Sequence, residues 1–196
     1  MKRIAGLLCV AVVLAVAGTA LAQTDLSVFP SGTTKMVYKM RTEDMTQPMP
    51  LELSVTVHGD GTYTVRMVTE GTGTEDELGS FGFIGGMTSV SASGHDVSYT
   101  SLQALMDQRN RLQEGQEYLL PGGGAFTNIV GATIAGVWCL QGTLVDPDNG
   151  DTRTTVAFAL SKPVYISPLI RVEELRNGQW VEVFSLELVE YTVPGS

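Results

Sequence analysis

Few side chains in this sequence titrate near neutral pH, and they are the natural place to look for chemistry. Once residues 1–22, discussed below, are set aside, they are His58, His95 and Cys139. Both histidines adjoin glycine turns, where an imidazole is simply solvated. Cys139 follows Val137 and Trp138 in an apolar stretch, which indicates a small core residue rather than a nucleophile.

The linear motifs of common enzymes are absent. No G-x-S-x-G, phosphate loop, H-E-x-x-H or C-x-x-C occurs in the sequence. A metal cluster of the usual His/Cys type needs three or four ligands at recognisable spacing, and none exists. We therefore predict no metal site, no cofactor and no enzymatic activity. Two carboxylates that meet in a cleft remain the alternative, because they leave no linear motif.

One acidic segment, Asp146–Asp151, resembles the start of a calcium loop. Asp146 and Asp148 have the spacing of the first two oxygen ligands, but Ala157 stands where the bidentate glutamate belongs. Asp, Pro, Asn and Gly are also the ordinary residues of a turn between strands. We interpret the segment as a turn, with a weak calcium site as the alternative.

Apolar side chains give the one positive indication of a binding site. Methionine is unbranched and polarizable, and it recurs on surfaces that accept varied apolar shapes. The candidate ligand-binding residues are Met36, Tyr38, Met40 and Met67 on inward strand faces, with Leu102, Leu105 and Met106 on the apolar face of a helix. The alternative is that these residues simply fill the core. Met45 and Met49 lie in the loop 43–50 and are candidates for the rim of the site.

The polar face of the first predicted strand carries three cations in an acidic chain, Lys35, Lys39 and Arg41. The simplest interpretation is a solvated strand face whose cations pair with Glu52 on the next strand. The alternative is a docking strip for an anionic partner.

Alternation of apolar and polar residues, typical of half-buried antiparallel strands, recurs along the chain. It predicts strands at 34–42, 51–58, 62–70, 87–92, 97–100, 135–145, 152–160, 164–175 and 180–193. Gly59–Gly61 and Asn177-Gly178 have the composition of tight hairpin turns, and the second aligns Leu175 with Trp180. One short α-helix is predicted near 101–113.

These elements predict a single β-rich domain over residues 23–196. One helix cannot cover so large a sheet, so the sheet must curl on itself or fold into two layers. We predict a mainly β fold: a single antiparallel, strongly curved sheet or incomplete β-barrel, with the helix in or across its mouth. A two-layer β-sandwich is the alternative.

The first 22 residues have the organisation of a secretory signal peptide. Met1–Arg3 is positively charged, 4–17 is an apolar run, and Ala20–Ala22 provides the small residues that precede a cleavage site. We predict cleavage before Gln23, no membrane span afterwards, and a secreted or periplasmic protein; an uncleaved anchor is the alternative. Cys9 lies inside the apolar run, which excludes a lipobox.

The charge balance argues against a nucleic-acid partner. The chain has 12 Lys and Arg against 21 Asp and Glu, a net charge of -9. Loss of Lys2 and Arg3 with the signal peptide leaves ten cations and a net charge of -11. A surface of this sign repels phosphate backbones.

The sequence therefore predicts an exported, non-enzymatic binding protein. In the first hypothesis it holds an apolar or lipid-like ligand on the inner face of a curved sheet, with the helix as a gate. In the alternative it is an envelope or extracellular interaction and assembly module with a fully packed core. A carrier requires an apolar cavity of several hundred Å³. An assembly module requires an exposed patch or an unpaired edge strand instead.

Overall fold

The computed structural model describes residues 25–43, 45–70, 91–92, 95–96, 105, 108–120, 123–145 and 150–195. The predicted signal peptide, the strand at 97–100, most of the predicted helix, and Asp146–Asn149 of the acidic segment lie outside the described residues. Among the described residues, no helix has the length and hydrophobicity that a membrane span requires.

Eleven β-strands are described, and nine of them form one antiparallel sheet. The strands are β1 Gly32–Thr42, β2 Met49–Val57, β3 Tyr63–Thr69, β4 Ser91–Ala92, β5 His95–Asp96, β6 Tyr118–Leu119, β7 Ala125–Ile134, β8 Val137–Val145, β9 Thr152–Ala159, β10 Leu169–Arg176 and β11 Gln179–Thr192. The order in the large sheet is β3-β2-β1-β11-β10-β9-β8-β7-β6, and β4 pairs with β5 separately. The predicted mainly β fold with a single antiparallel sheet is confirmed. The described strands do not close into a barrel, so β3 and β6 are its edges.

The first three strands follow the predicted alternation closely. Met36, Tyr38 and Met40 of β1 are buried, and their intervening neighbours face outward. On β2 every second residue from Met49 to Val55 is buried, and Leu51 and Leu53 lie at the centre of this row. Gly61, at φ 82°, provides the left-handed residue that the turn between β2 and β3 needs.

The hairpin from β10 to β11 also forms as predicted. Asn177 and Gly178 have φ values of 53° and 79°, as a type I′ turn requires, and Leu175 lies opposite Trp180. The smaller β4–β5 hairpin differs from the prediction. His95 pairs with Ala92 in a strand there, although it lies between the predicted strands 87–92 and 97–100, where a turn was expected.

Strand β7 was not predicted, and the prediction that the β pattern resumes with a strand at 135–145 was wrong at its start. Ala135 and Gly136 have φ values of 47° and 74° and form the turn from β7 to β8. Alanine rarely adopts a left-handed conformation, so Ala135 at the first turn position does not indicate a turn in the sequence. Within β7 the alternation is interrupted at Asn128, whose φ is 53° and which lies in a bulge between Thr127 and Val130.

The predicted strand at 164–175 starts only at Leu169. Pro163 and Pro168 flank the preceding stretch, and proline cannot donate to a strand ladder. Residues 161–168, here called the cover segment, instead bond with β1. The Tyr165 backbone N–H donates to Met36 Sδ at 3.4 Å, and Tyr38 Oη donates to the Ile166 carbonyl at 2.8 Å.

The buried side chains form two clusters. The first joins β1, β2, β10 and β11 to residues of β8 and β9. The second lies around Phe126 of β7 and Phe158 of β9, whose rings meet edge to face at 5.6 Å between centroids. Of the predicted helix, Leu105 and Gln108 are helical and Arg109–Arg111 forms one 3₁₀ turn. Leu105 is buried in the second cluster.

Candidate functional site

Three of the predicted ligand-binding residues are buried in the first cluster. Met36, Tyr38 and Met40 are at most 3% exposed. The cover segment already bonds to the Met36 sulfur and the Tyr38 hydroxyl. Burial raises the pKa of Tyr38, although its hydrogen bond to the Ile166 carbonyl acts in the opposite direction. The Tyr38 hydroxyl and the Met36 sulfur therefore already have hydrogen-bond partners within the chain.

Met45 and Met49, expected at a rim, are also core residues. Both are buried in the same cluster as Met36. Met49 is the first residue of β2. Met45 follows a turn in which its N–H donates to the Thr42 carbonyl at 3.2 Å, and the Glu43 N–H joins this turn to β11 by donating to the Val183 carbonyl at 3.0 Å. The rim interpretation is therefore wrong.

The remaining predicted ligand-binding residues are not gathered at one place. Leu105 is buried in the second cluster, whereas Met36, Tyr38 and Met40 belong to the first. Leu102 and Met106 lie outside the described residues. Met67 pairs with the fully buried Leu53 and therefore points to the predicted inward side of the sheet. Its side chain is nevertheless 42% exposed, because β3 is an edge strand of the described sheet.

Met67 belongs to a row of exposed apolar side chains on β3. Tyr63, Val65 and Met67 point to the same side of the sheet, opposite Val57, Val55 and Leu53 of β2 respectively. All three are between 38% and 42% exposed. We call Tyr63, Val65 and Met67 the edge row. It extends the buried face of β2 to the open edge of the sheet.

Strand β3 lacks the features that usually protect an edge. Among the described strands it pairs only with β2, so no described strand pairs with the backbone groups on its other side, which is the usual liability of an edge. It is seven residues long, contains no proline, and carries Arg66 as its one charge. The opposite edge strand, β6, has only two residues. Sequence alternation predicted β3 as a strand, but its position at the edge has no sequence signal.

The outer face of β1–β3 carries several cations. Lys35 Nζ lies 3.0 Å from Glu52 Oε2, which confirms the predicted pairing with Glu52, and Arg66 Nη1 lies 3.7 Å from Glu52 Oε1. The hydrogen bond to Glu52 raises the pKa of Lys35. Lys39 and Arg41 are exposed on the same face and have no ion pair within the described part of the chain. On the neighbouring strand β11, Glu187 lies opposite Lys39 and Glu190 opposite Val37, so cations and carboxylates are interspersed across this face.

Cys139 and His58 lie in the surroundings that their neighbours in the sequence predicted. Cys139 is fully buried, its Sγ donates to the Val137 carbonyl at 3.3 Å, and burial raises the pKa of its thiol to about 11. It is a core residue, as predicted. His58 Nε2 lies 2.9 Å from Thr64 Oγ1 at the exposed end of the β2–β3 hairpin.

A groove of about 240 Å³ lies beside the cover segment. It is lined by Val28, Arg109 and Asn110 together with residues 158–164 and 166–168. Pockets for drug-sized ligands measure roughly 300–1,000 Å³. A groove of this size, with Lys162 also in its wall, suits a small polar group better than an acyl chain.

An ion-pair ladder crosses β9, β10 and β11. Arg153 Nε lies 2.8 Å from Glu173 Oε2, and Arg171 Nε lies 3.1 Å from Glu182 Oε2. The Arg153 guanidinium also lies 4.4 Å from the centroid of the Trp180 ring. Cross-strand pairs of this kind stabilise a sheet surface. Both arginines are therefore paired with neighbouring side chains.

Similarity to known proteins is confined to solved structures. No family model matches the sequence, and no curated protein matches it. Among solved structures, the chain is similar to the crystal structure of MucB, with a TM-score of 0.47 and 10% sequence identity over 90% of this chain. The chain spans 57% of the MucB chain. A likeness at this level assigns neither a family nor a function.

Proposed function

We propose that this chain is an exported, non-enzymatic interaction module that binds an extended segment of a partner protein along β3. The observation that carries the proposal is the edge row on an unprotected edge strand. Recognition of this type adds a strand to an existing sheet. Main-chain hydrogen bonds supply the affinity, and alternate side chains supply the specificity.

The dimensions of β3 fit this role. Seven residues at about 3.3 Å each give an edge of roughly 23 Å, enough for a partner segment of similar length. Inward side chains of that segment would lie next to Tyr63, Val65 and Met67 and cover them from water. The buried residues of β2 lie beside the edge row and are already packed against the core. The side chains of the partner segment would therefore extend an existing apolar cluster.

The location of the module follows from the predicted signal peptide. Export places the mature chain in the periplasm or outside the cell, so the partner is an envelope or extracellular protein. No sequence motif calls for catalysis at the proposed site, and binding alone accounts for its apolar and backbone character.

The carrier hypothesis remains the second candidate because the edge row also suits an acyl chain. It needs an apolar hollow, and the tight packing of Met36, Tyr38 and Met40 weighs against one at that position. Native mass spectrometry of protein purified from its own envelope separates the two hypotheses. A lipid-sized adduct supports the carrier, and a stoichiometric protein partner supports the interaction module.

A site-directed crosslinking experiment tests the position of the interface. A photo-reactive benzophenone amino acid replaces Tyr63 in the edge row or, as a matched control, Trp180, an aromatic residue of similar exposure on β11. We expect a discrete protein adduct from position 63 and none from position 180. The added substitution Met67→Lys should abolish the adduct at position 63. Equal labelling at both positions, or persistence with Met67→Lys, would overturn the proposal.

A further inference from the structure

The charge on the outer face of β3 identifies the kind of segment that fits the edge. A strand added beside β3 points alternate side chains to the outer face, where they lie opposite Thr64, Arg66 and Val68. Directly opposed side chains in an antiparallel pair have Cβ atoms about 4.5–5.5 Å apart. Arg66 is the one charged residue of β3, so it meets the partner's outward side chain directly.

Arg66 is available for such a contact. Its side chain is 65% exposed, and its pair with Glu52 at 3.7 Å is longer than the 3.0 Å pair of Lys35 with the same carboxylate. Lys35 is therefore the closer partner of Glu52, and Arg66 keeps an exposed guanidinium on β3.

We propose that the docked segment alternates apolar side chains, which cover the edge row, with acidic side chains on the outer face, one of them opposite Arg66. This inference rests on the proposed strand addition at β3. It is opposite in sign to what the net charge of -9 would favour, because the one charged residue of β3 itself is Arg66.

A second copy of the chain is a poorer occupant of this edge. β3 contains no acidic residue between Tyr63 and Thr69, so pairing of β3 with its own copy places no carboxylate opposite Arg66. Two copies also carry the same net negative charge and repel each other. The edge is therefore better matched to a different chain with acidic residues.

Fluorescence anisotropy with three labelled seven-residue peptides tests the inference on the full mature chain. Each peptide has valine at alternate positions, with glutamate, lysine or serine between them. We expect the glutamate peptide to bind about tenfold more tightly than the lysine peptide at low ionic strength, with most of this difference lost in 1 M NaCl.

Substitutions then locate the effect. Arg66→Glu should reverse the preference between the glutamate and lysine peptides. Lys162→Glu, the same charge change at an exposed cation of the cover segment, should leave the preference in place. Equal binding of the acidic and basic peptides, or stronger binding of the basic one, overturns the inference while strand addition stands. Failure of all three peptides to bind overturns both.

Discussion

Replacement of Gly142 by alanine should destabilise the sheet through a steric clash with Phe126. A Cβ atom at position 142 would lie 2.5 Å from Phe126 Cζ, 2.8 Å from Phe126 Cε2 and 2.9 Å from the Thr127 carbonyl oxygen. Normal contacts between carbon atoms are about 3.5–4.0 Å. The ring must therefore move by about 1 Å, or the two strands must separate.

Neither movement is easy at this position. Phe126 is fully buried and packs edge to face against Phe158, and the Thr127 oxygen belongs to the backbone of β7, which pairs with β8 beside Gly142. Overpacking of a core costs about 1–3 kcal/mol. Alanine also lowers the conformational entropy of the unfolded chain, which stabilises the folded state by about 0.4–1 kcal/mol. We expect a net loss of about 1–2 kcal/mol, or roughly 2–8 °C in Tm for a domain of this size.

Urea denaturation of Gly142→Ala and Gly150→Ala measures the effect. Gly150 has no heavy atom within 4 Å of an added Cβ and no positive φ. The same substitution there changes the unfolded chain alone and should be neutral or slightly stabilising. A shorter side chain from Phe126→Leu should recover part of the loss in a double-mutant cycle. The reasoning fails if Gly142→Ala is as stable as Gly150→Ala.

Three further predictions concern particular buried or paired groups. The hydrogen bonds from Arg153 hold the pKa of Glu173 below its usual range, so this stabilisation is present above the unfolded pKa and is lost as pH falls through the folded pKa. Urea titrations between pH 6 and pH 3 should show a smaller acid loss for Glu173→Gln than for the wild type; an equal loss would contradict the ion pair. Tyr38→Phe leaves the Ile166 carbonyl without its donor and should cost about 1–2 kcal/mol in urea denaturation; no change would mean that water replaces the hydroxyl. Cys139, whose pKa is raised to about 11, should not react with a disulfide reagent at pH 8 until the protein is denatured, and rapid reaction of the native protein would contradict its burial.

Local sequence patterns predicted the parts of the fold in which neighbouring residues decide the conformation. The alternation of β1 and β2 and the Asn177-Gly178 turn are such cases. Strand β7 was missed because the bulge at Asn128 interrupts its period, and because Ala135 in the following turn gives no signal. The delayed start of β10 reflects hydrogen bonds between the cover segment and β1, which join residues far apart in the chain.

The candidate site was predicted less well than the sheet. The side of β1 that faces the core follows from alternation, so the burial of Met36, Tyr38 and Met40 was predictable. Whether that face encloses a ligand or is packed solid depends on which distant segment covers it. The edge row could not be identified because alternation gives the side of a strand and not its place in the sheet.

The sequence alone determined that the chain forms antiparallel strands, which side of β1 and β2 is apolar, and where its clearest hairpin turns lie. These properties depend on residues within a few positions of one another. Only the tertiary structure decided that β1 pairs with β11, that β3 lies at an edge of the sheet formed by the described strands, and that Gly142 must accommodate the Phe126 ring. The pairing of strands is a choice among distant segments with similar patterns, and that choice depends on how well their side chains pack together.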